Sequence, residues 1–301
     1  MVTVFLNSAA GGQPQDTRDR VAAFFEQSGV EARIVPLDAR ADLQAAVRSA
    51  VASGADSVVA AGGDGTVSSI AAVLAGTATP FGVLPLGTLN HFAKDLGIPL
   101  ELEAAVKTIA ARRTIAVDVG DVNGQPFINN SSIGLYPDIV VEREALRATG
   151  YRKWTALAVA TTRVLSRYPG LVVRVTTAEE TRVLRTPFLF VGNNEYEVEG
   201  IRTGKRAVLT QGQLFACLAP RLRARDLPIL AALALAGRAK RNPALASFTT
   251  TELRVDTPGR RRIRIALDGE VVSMAPPLHY RVRPASLNVI CPEPGIQPSG
   301  R

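Results

Sequence analysis

Short, mostly apolar runs alternate with helical patterns through the first third of the chain. VTVFL (2–6), EARIV (31–35), SVVAA (57–61) and FGVLP (81–85) each read as a strand, because such runs bounded by turn signals suit strands buried on both faces. Helical spacing fills the intervals near 15–28 and 39–53, and recurs after the third and fourth strands. Strands separated by helices predict βαβ units and a parallel sheet. Ligands of such sheets bind beyond the carboxyl ends of the strands. Three polar, glycine-rich loops fall at those ends: Asn7 to Gly12, Gly62 to Thr66 and Gly87 to Asn90.

The pattern changes after about residue 114. TIAVDVGDVNGQPFINN carries Asn123-Gly124 between two apolar runs, a hairpin signal. A helical stretch is expected near 138–168. Then LVVRV, RVLRTPFLFVGN, QLFACLA, TELRVD, RRIRIALD, LHYRVR and SLNVI alternate with period two, which predicts antiparallel strands. In RRIRIALD, Ile263, Ile265 and Leu267 share one face while Arg262 and Arg264 share the other. At roughly 150 residues per domain, the 301 residues suggest two domains, an α/β one and a β-rich one.

Gly62-Gly63-Asp64-Gly65-Thr66 follows a buried strand and opens a helix. Glycines let a backbone approach phosphate oxygens, and a helix N-terminus offers free N–H groups. A carboxylate there could hold magnesium through water. The same turn could simply be tight, with Asp64 as a helix cap. Two other phosphate motifs are missing. No GxxxxGK[ST] occurs, since Gly204-Lys205 is followed by Arg206. Gly63 and Gly65 are followed by Ser68 rather than the third glycine of a dinucleotide fingerprint.

Charge narrows the partners. The formal net charge is +8, which favours nucleotide phosphates, nucleic acid or an anionic membrane face. Basic residues gather at Arg221, Arg223 and Arg225, at Arg238, Lys240 and Arg241, and at Arg260 to Arg262 with Arg264. Aromatic residues are 5% of the chain and do not interleave these clusters, so nucleic acid is not expected. Leu227 to Gly237 is apolar but only 11 residues long, against the ~20 a membrane span needs. It reads as a core helix or as a segment lying on a membrane. The start, MVTVFLNSAAGG, does not read as a signal peptide. Two cysteines, Cys217 and Cys291, give no disulfide or zinc framework and are expected as buried thiols.

The loops together resemble the diacylglycerol kinase catalytic-domain family, which includes bacterial diacylglycerol kinases and sphingosine and ceramide kinases. The carrying residues are Ala61-Gly62-Gly63-Asp64-Gly65-Thr66, Pro85-Leu86-Gly87-Thr88-Leu89-Asn90, Phe127 to Gly134, and Leu267-Asp268-Gly269-Glu270. GGDGT alone is shared with NAD kinases and phosphofructokinases; the ordered set is more specific. The resemblance runs from about residue 2 to about 291. It implies an ATP-binding α/β domain over 1–120 and a β-sandwich-like acceptor domain over 121–284, with a strand in 285–295 returning to the first and the active site in the cleft between them.

It further implies an ATP-dependent lipid kinase acting on a hydroxyl of diacylglycerol or a related lipid. Asn7, Ser8, Gly11, Gly62, Gly63, Asp64, Gly65, Thr66, Ser68, Gly87, Thr88 and Asn90 would contact ATP. Asp64 and Asp118 would organise Mg2+, and Asp268 or Glu270 would deprotonate the acceptor. A cytoplasmic protein touching the inner membrane face is implied; a homodimer is left open. The chain departs from the family at His91, where many members have Asp, at Ser68-Ser69, and at Gln211-Gly212, where bacterial members carry an Asp-Gly serving a structural magnesium; that second metal site is not expected. The alternatives are a soluble kinase related to NAD kinase, or a nucleotide- or lipid-binding module that has lost catalysis.

Overall fold

The computed structural model describes residues 1–7, 14–37, 42–196, 206, 208–220 and 245–292. The chain forms two compact units. Met1–Val119 and the C-terminal segment from Arg283 make the first; Gly120–Val282 makes the second.

The first unit alternates strand and helix: β1 (Val2–Leu6), α1 (Pro14–Gln27), β2 (Ala32–Pro36), α2 (Leu43–Ala52), β3 (Ser57–Gly62), α3 (Asp64–Leu74), β4 (Phe81–Pro85), α4 (His91–Asp95), α5 (Leu102–Ala110) and most of β5 (Thr114–Val122). Its strands run parallel in the order β2-β1-β3-β4. Val4 pairs with Ile34 and Val59, and Val59 with Gly82. β1, β3 and β4 are buried at every residue, as strands covered on both faces must be. Val4, Leu6, Val59 and Leu84 pack with Val21 and Phe25 of α1 and Val106 and Ile109 of α5.

The second unit begins with β6 (Gln125–Phe127), β7 (Asn130–Gly134), α6 (Leu135–Ala148), α7 (Lys153–Arg167), β8 (Leu171–Thr176), β9 (Thr181–Thr186) and β10 (Phe188–Asn193). It continues through β11 (Leu214–Leu218), β12 (Ala246–Thr250), β13 (Glu252–Asp256), β14 (Ile263–Leu267), β15 (Glu270–Met274) and the long β16 (Leu278–Ile290). One antiparallel sheet has the order β12-β11-β10-β7-β14-β15. The first half of β16, β13, β8 and β9 follow in that order in the other sheet, each antiparallel to the next. Side chains of both sets, including Ile133, Leu189, Ile265, Val173, Leu253 and Tyr280, share one core. The unit is therefore β-sandwich-like.

Three elements differ from the expected ones. The stretch near 138–168 is two helices, because the chain leaves the helix at Gly150 (φ +93). There Gly150 and Tyr151 donate back to Arg147 and Leu146 carbonyls, a left-handed glycine stop. RVLRTPFLFVGN divides at Pro187 into β9 and β10, which belong to different sheets; proline has no N–H for the ladder. Conversely, LHYRVR and SLNVI form one strand, β16. Its end returns to the first unit, pairing Val289 with Phe81. Leu227 to Gly237 and the basic residues from Arg221 to Arg241 lie outside the described residues. Both cysteines are free, Cys217 half-buried and Cys291 buried; burial pushes the Cys217 thiol up to about 11. Among the described residues no helix is long and apolar enough to cross a membrane.

Candidate active site

In the first unit, Asn7 at the end of β1 meets the loop after β3, and that loop meets the one after β4 at the carboxyl ends of their strands. Asn7 donates its backbone N–H to Ala61 O at 2.8 Å, and its side-chain amide to Thr66 Oγ1 at 3.0 Å. The β3 and β4 loops touch backbone to backbone. A Cβ built on Gly87 would lie 2.6 Å from Gly63 Cα and 2.8 Å from Asn90 Oδ1. At Gly62, a Cβ would meet Thr66 Oγ1 at 2.7 Å. Glycine at these positions is thus a packing requirement.

Asn90 closes its own loop. It takes the left-handed conformation (φ +52), accepts the Gly87 N–H at Oδ1 (3.0 Å) and donates from Nδ2 to Gly87 O (2.8 Å). Asp64 ties that loop to α3: its Oδ2 accepts the Asn90 N–H (2.9 Å) and its Oδ1 the His91 N–H (2.8 Å). Asp64 is therefore a cross-loop clamp, and the helix it caps is α4 rather than its own. α3 opens at Gly63 with no side-chain cap on its first N–H groups. Such an end, with Gly65 exposed, is suited to an anion. His91 is exposed as the first residue of α4. Thr88 is exposed. Ser68 lies further along α3 with its Oγ buried and without a hydrogen-bond partner among the described residues. Ser8 and Gly11 lie outside the described residues.

Asp118 of β5 is 3% exposed. Its Oδ1 accepts the Ala285 N–H at 2.9 Å, where β16 passes through a left-handed residue (Ala285 φ +49). Asp118 thus supports the returning half of β16 as well as carrying charge. No three His, Cys, Asp or Glu side chains cluster as a ready ligand set among the described residues. Magnesium does not require one, since it keeps several waters and takes one or two carboxylates plus phosphate. Each Asp64 oxygen accepts a backbone N–H bond and keeps lone-pair capacity for a metal-bound water.

In the second unit, Leu267-Asp268-Gly269-Glu270 is a two-residue hairpin joining β14 to β15. Asp268 (φ +47) and Gly269 (φ +93) both take positive φ, as the favoured turn demands. The Asp268 carboxylate faces Ile128 to Asn130, the crossing between β6 and β7. Oδ2 accepts the Ile128 N–H (2.9 Å), and Oδ1 accepts those of Asn129 (2.8 Å) and Asn130 (3.0 Å). Burial raises the Asp268 pKa above its ordinary value, while the three N–H donors and the Arg206 charge pull it down. Glu270 is exposed.

The carbonyls of the same crossing are met by residues that sequence reasoning did not single out. Arg206, 1% exposed, donates from Nη1 to Ile128 O and from Nη2 to Asn129 Oδ1 (2.8 Å). Tyr196 donates its hydroxyl to Asn129 O (2.8 Å), and Asn193 its amide to Ile128 O (3.1 Å). Buried backbone groups outside a ladder need such partners. Gln211 belongs to the rim of this network, its Oε1 accepting the Glu195 N–H (3.3 Å).

Two family models match the chain: "Diacylglycerol kinase catalytic domain" over residues 1–122, and "YegS C-terminal NAD kinase beta sandwich-like domain" over residues 132–291. The chain belongs to the diacylglycerol kinase catalytic-domain family. A Citrobacter koseri member named "Probable lipid kinase YegS-like" is 34% identical over 152 residues, 48% of this chain and 50% of that one. A Bacillus subtilis protein named diacylglycerol kinase is 36% identical over 121 residues, 39% of this chain and 40% of that one. The chain thus spans half or less of the length of these curated relatives. The crystal structure of a diacylglycerol kinase from Bacillus anthracis str. Sterne aligns with a TM-score of 0.70 at 19% identity, over 97% of this chain and 96% of that one. This likeness concerns the fold. Within this diacylglycerol kinase family member, Asp64, Asp118 and Asp268, three of the carboxylates expected to do chemistry, each also accept backbone N–H of a distant segment.

Proposed function

We propose that this chain is an ATP-dependent kinase that transfers the γ-phosphate to a hydroxyl of diacylglycerol or a related lipid. The observation that carries the reading is the contact of the glycine-rich loops after β3 and β4, with Asn7 at the end of β1 bonded to the first of them, in a chain of this family. Phosphoryl transfer needs positioned phosphates, a neutralising metal and a base near the acceptor. In this reading the α3 N-terminus and the Gly62–Thr66 and Gly87–Asn90 backbones bind the ATP phosphates. Asp64 and Asp118 hold Mg2+, which supplies charge neutralisation when bound. Asp268 takes the hydroxyl proton on Oδ2, which accepts one N–H bond where Oδ1 accepts two. Its three donors keep the carboxylate in place, and burial favours basicity. Glu270 is the second candidate for the base.

Magnesium-ATP is expected to stabilise the native state, by about 2.7 kcal/mol at roughly 100 times Kd. Thermal denaturation with ATP, with and without magnesium, and with NAD measures this. A rise with magnesium-ATP and none with NAD supports the reading. A rise with NAD alone would favour a soluble kinase related to NAD kinase.

A further inference from the structure

α6 and α7 form a helical hairpin whose tip is the segment Thr149 to Trp154. α7 buries only Ala156 and Ala160, which pack with Leu146 and, at the margin, Ile139 and Val159. Small residues thus hold α7, and its largest side chain is left out. Trp154, the chain's one tryptophan, is 74% exposed in the first turn of α7. Tyr151, three residues earlier, is 46% exposed. An aromatic side chain gains much from burial, so two left in water at one tip mark a surface made to meet something.

The charge of the tip selects the partner. No Asp or Glu lies between Ala145 and Ala178, and the basic residues at the tip are Arg147, Arg152 and Lys153, of which Arg147 faces Glu144 at 3.6 Å. Lys153 Nζ lies 5.8 Å from the Trp154 ring centre. Arg152 and Lys153 have no carboxylate partner among the described residues. Rings with an apolar body and a polar edge settle at the membrane–water boundary, and basic side chains beside them attract anionic headgroups.

We propose that the tip of the α6–α7 hairpin docks the protein on an anionic bilayer, with Tyr151 and Trp154 among the headgroups and Arg152 and Lys153 pairing with lipid anions. This rests on the reading of the acceptor as a lipid, because such a kinase must meet its substrate at a surface.

The single tryptophan makes the test direct, because its emission reports on the tip alone. Vesicles of phosphatidylcholine containing phosphatidylglycerol should shift Trp154 emission to the blue, and brominated acyl chains should quench it. Pure phosphatidylcholine should do much less, and salt should reverse the effect, since screening shortens to ~3 Å at 1 M. Replacing Arg152 and Lys153 together by Glu should weaken co-sedimentation with anionic vesicles by roughly tenfold, with circular dichroism and the ATP-induced melting shift unchanged. Trp154→Ala, followed by sedimentation, should weaken it as well. Sedimentation with anionic vesicles while Trp154 emission stays unmoved would overturn the proposal, as would equal response to both vesicle types. Response to neither overturns it and leaves the tip to a protein partner. Phosphorylation of detergent-dispersed diacylglycerol is measured separately. A protein that docks through Trp154 but phosphorylates no lipid keeps this proposal and loses the substrate reading; the opposite pair of results does the reverse.

Discussion

At the scale of single residues, Asp268 combines two jobs that substitution can separate. Asp268→Asn keeps the size but offers one carbonyl oxygen to three N–H donors. The variant should lose ~1–3 kcal/mol of stability, as when buried donors lose an acceptor, and ~10²–10⁴ in turnover, as when a general base is removed. Glu270→Gln, at an exposed position, should change stability by less than ~0.5 kcal/mol and turnover little. Denaturant titration and initial rates check both; a rate collapse in Glu270→Gln with Asp268→Asn active would exchange their roles. Because burial raises the Asp268 pKa above its ordinary 3.8, the acid limb of kcat/KM should lie above that value. The native state then binds the proton more readily than the unfolded chain. By that sign, Asp268 costs stability as pH rises from the unfolded toward the native pKa. Arg206→Met should be harsher, because it strips three buried oxygens, of Ile128, Asn129 and Asn193, of a donor at ~1–3 kcal/mol each; a variant that unfolds like wild type in denaturant would refute this. Arg206 was not legible in the sequence. One arginine in a basic chain carries no sign of burial, and its partners at Ile128 and Asn129 lie nearly eighty residues away.

At the scale of elements, the glycine loops show how local pattern and distant contact divide the information. Their place after buried strands was readable from apolar runs and glycine clusters. Their mutual contact was not, because Gly63 and Gly87 are brought together by sheet order. That contact grades two substitutions. A Cβ at Gly87 meets Gly63 Cα at 2.6 Å, whereas a Cβ at Gly63 meets Gly87 Cα at 3.4 Å. Gly87→Ala should therefore abolish or greatly reduce the magnesium-ATP melting shift, and Gly63→Ala should keep most of it. Equal shifts in both would contradict the loop packing described. The misread elements have similarly physical causes. Gly150 was present as a helix-stop signal, but the helical spacing on both sides obscured it. At Pro187, strand pattern continues on both sides while the pairing partner changes, and period-two alternation does not report partners. LHYRVR and SLNVI read as two strands because Pro284 stands between them, yet the pairing of β16 continues past it into the first unit.

At the scale of the whole molecule, the order of motifs carried more than any one of them. GGDGT in isolation left a capped turn and a phosphate site equally open. Its combination with GTLN and LDGE led to the family that the chain belongs to. The acceptor is set by side chains from many elements, and no spacing in the sequence encodes it. The central claim is chemical, and label transfer tests it most directly. ATP labelled at the γ-phosphate is incubated with magnesium, the protein and diacylglycerol, a sphingoid base, a polyprenol or phosphatidylglycerol in mixed micelles. The predicted result is label recovered in the organic phase as a phosphomonoester of one of these lipids, magnesium-dependent and lost in Asp268→Asn. Label that stays in ATP, or passes only to water or a soluble acceptor, with magnesium-ATP bound and the lipids dispersed, would contradict the account.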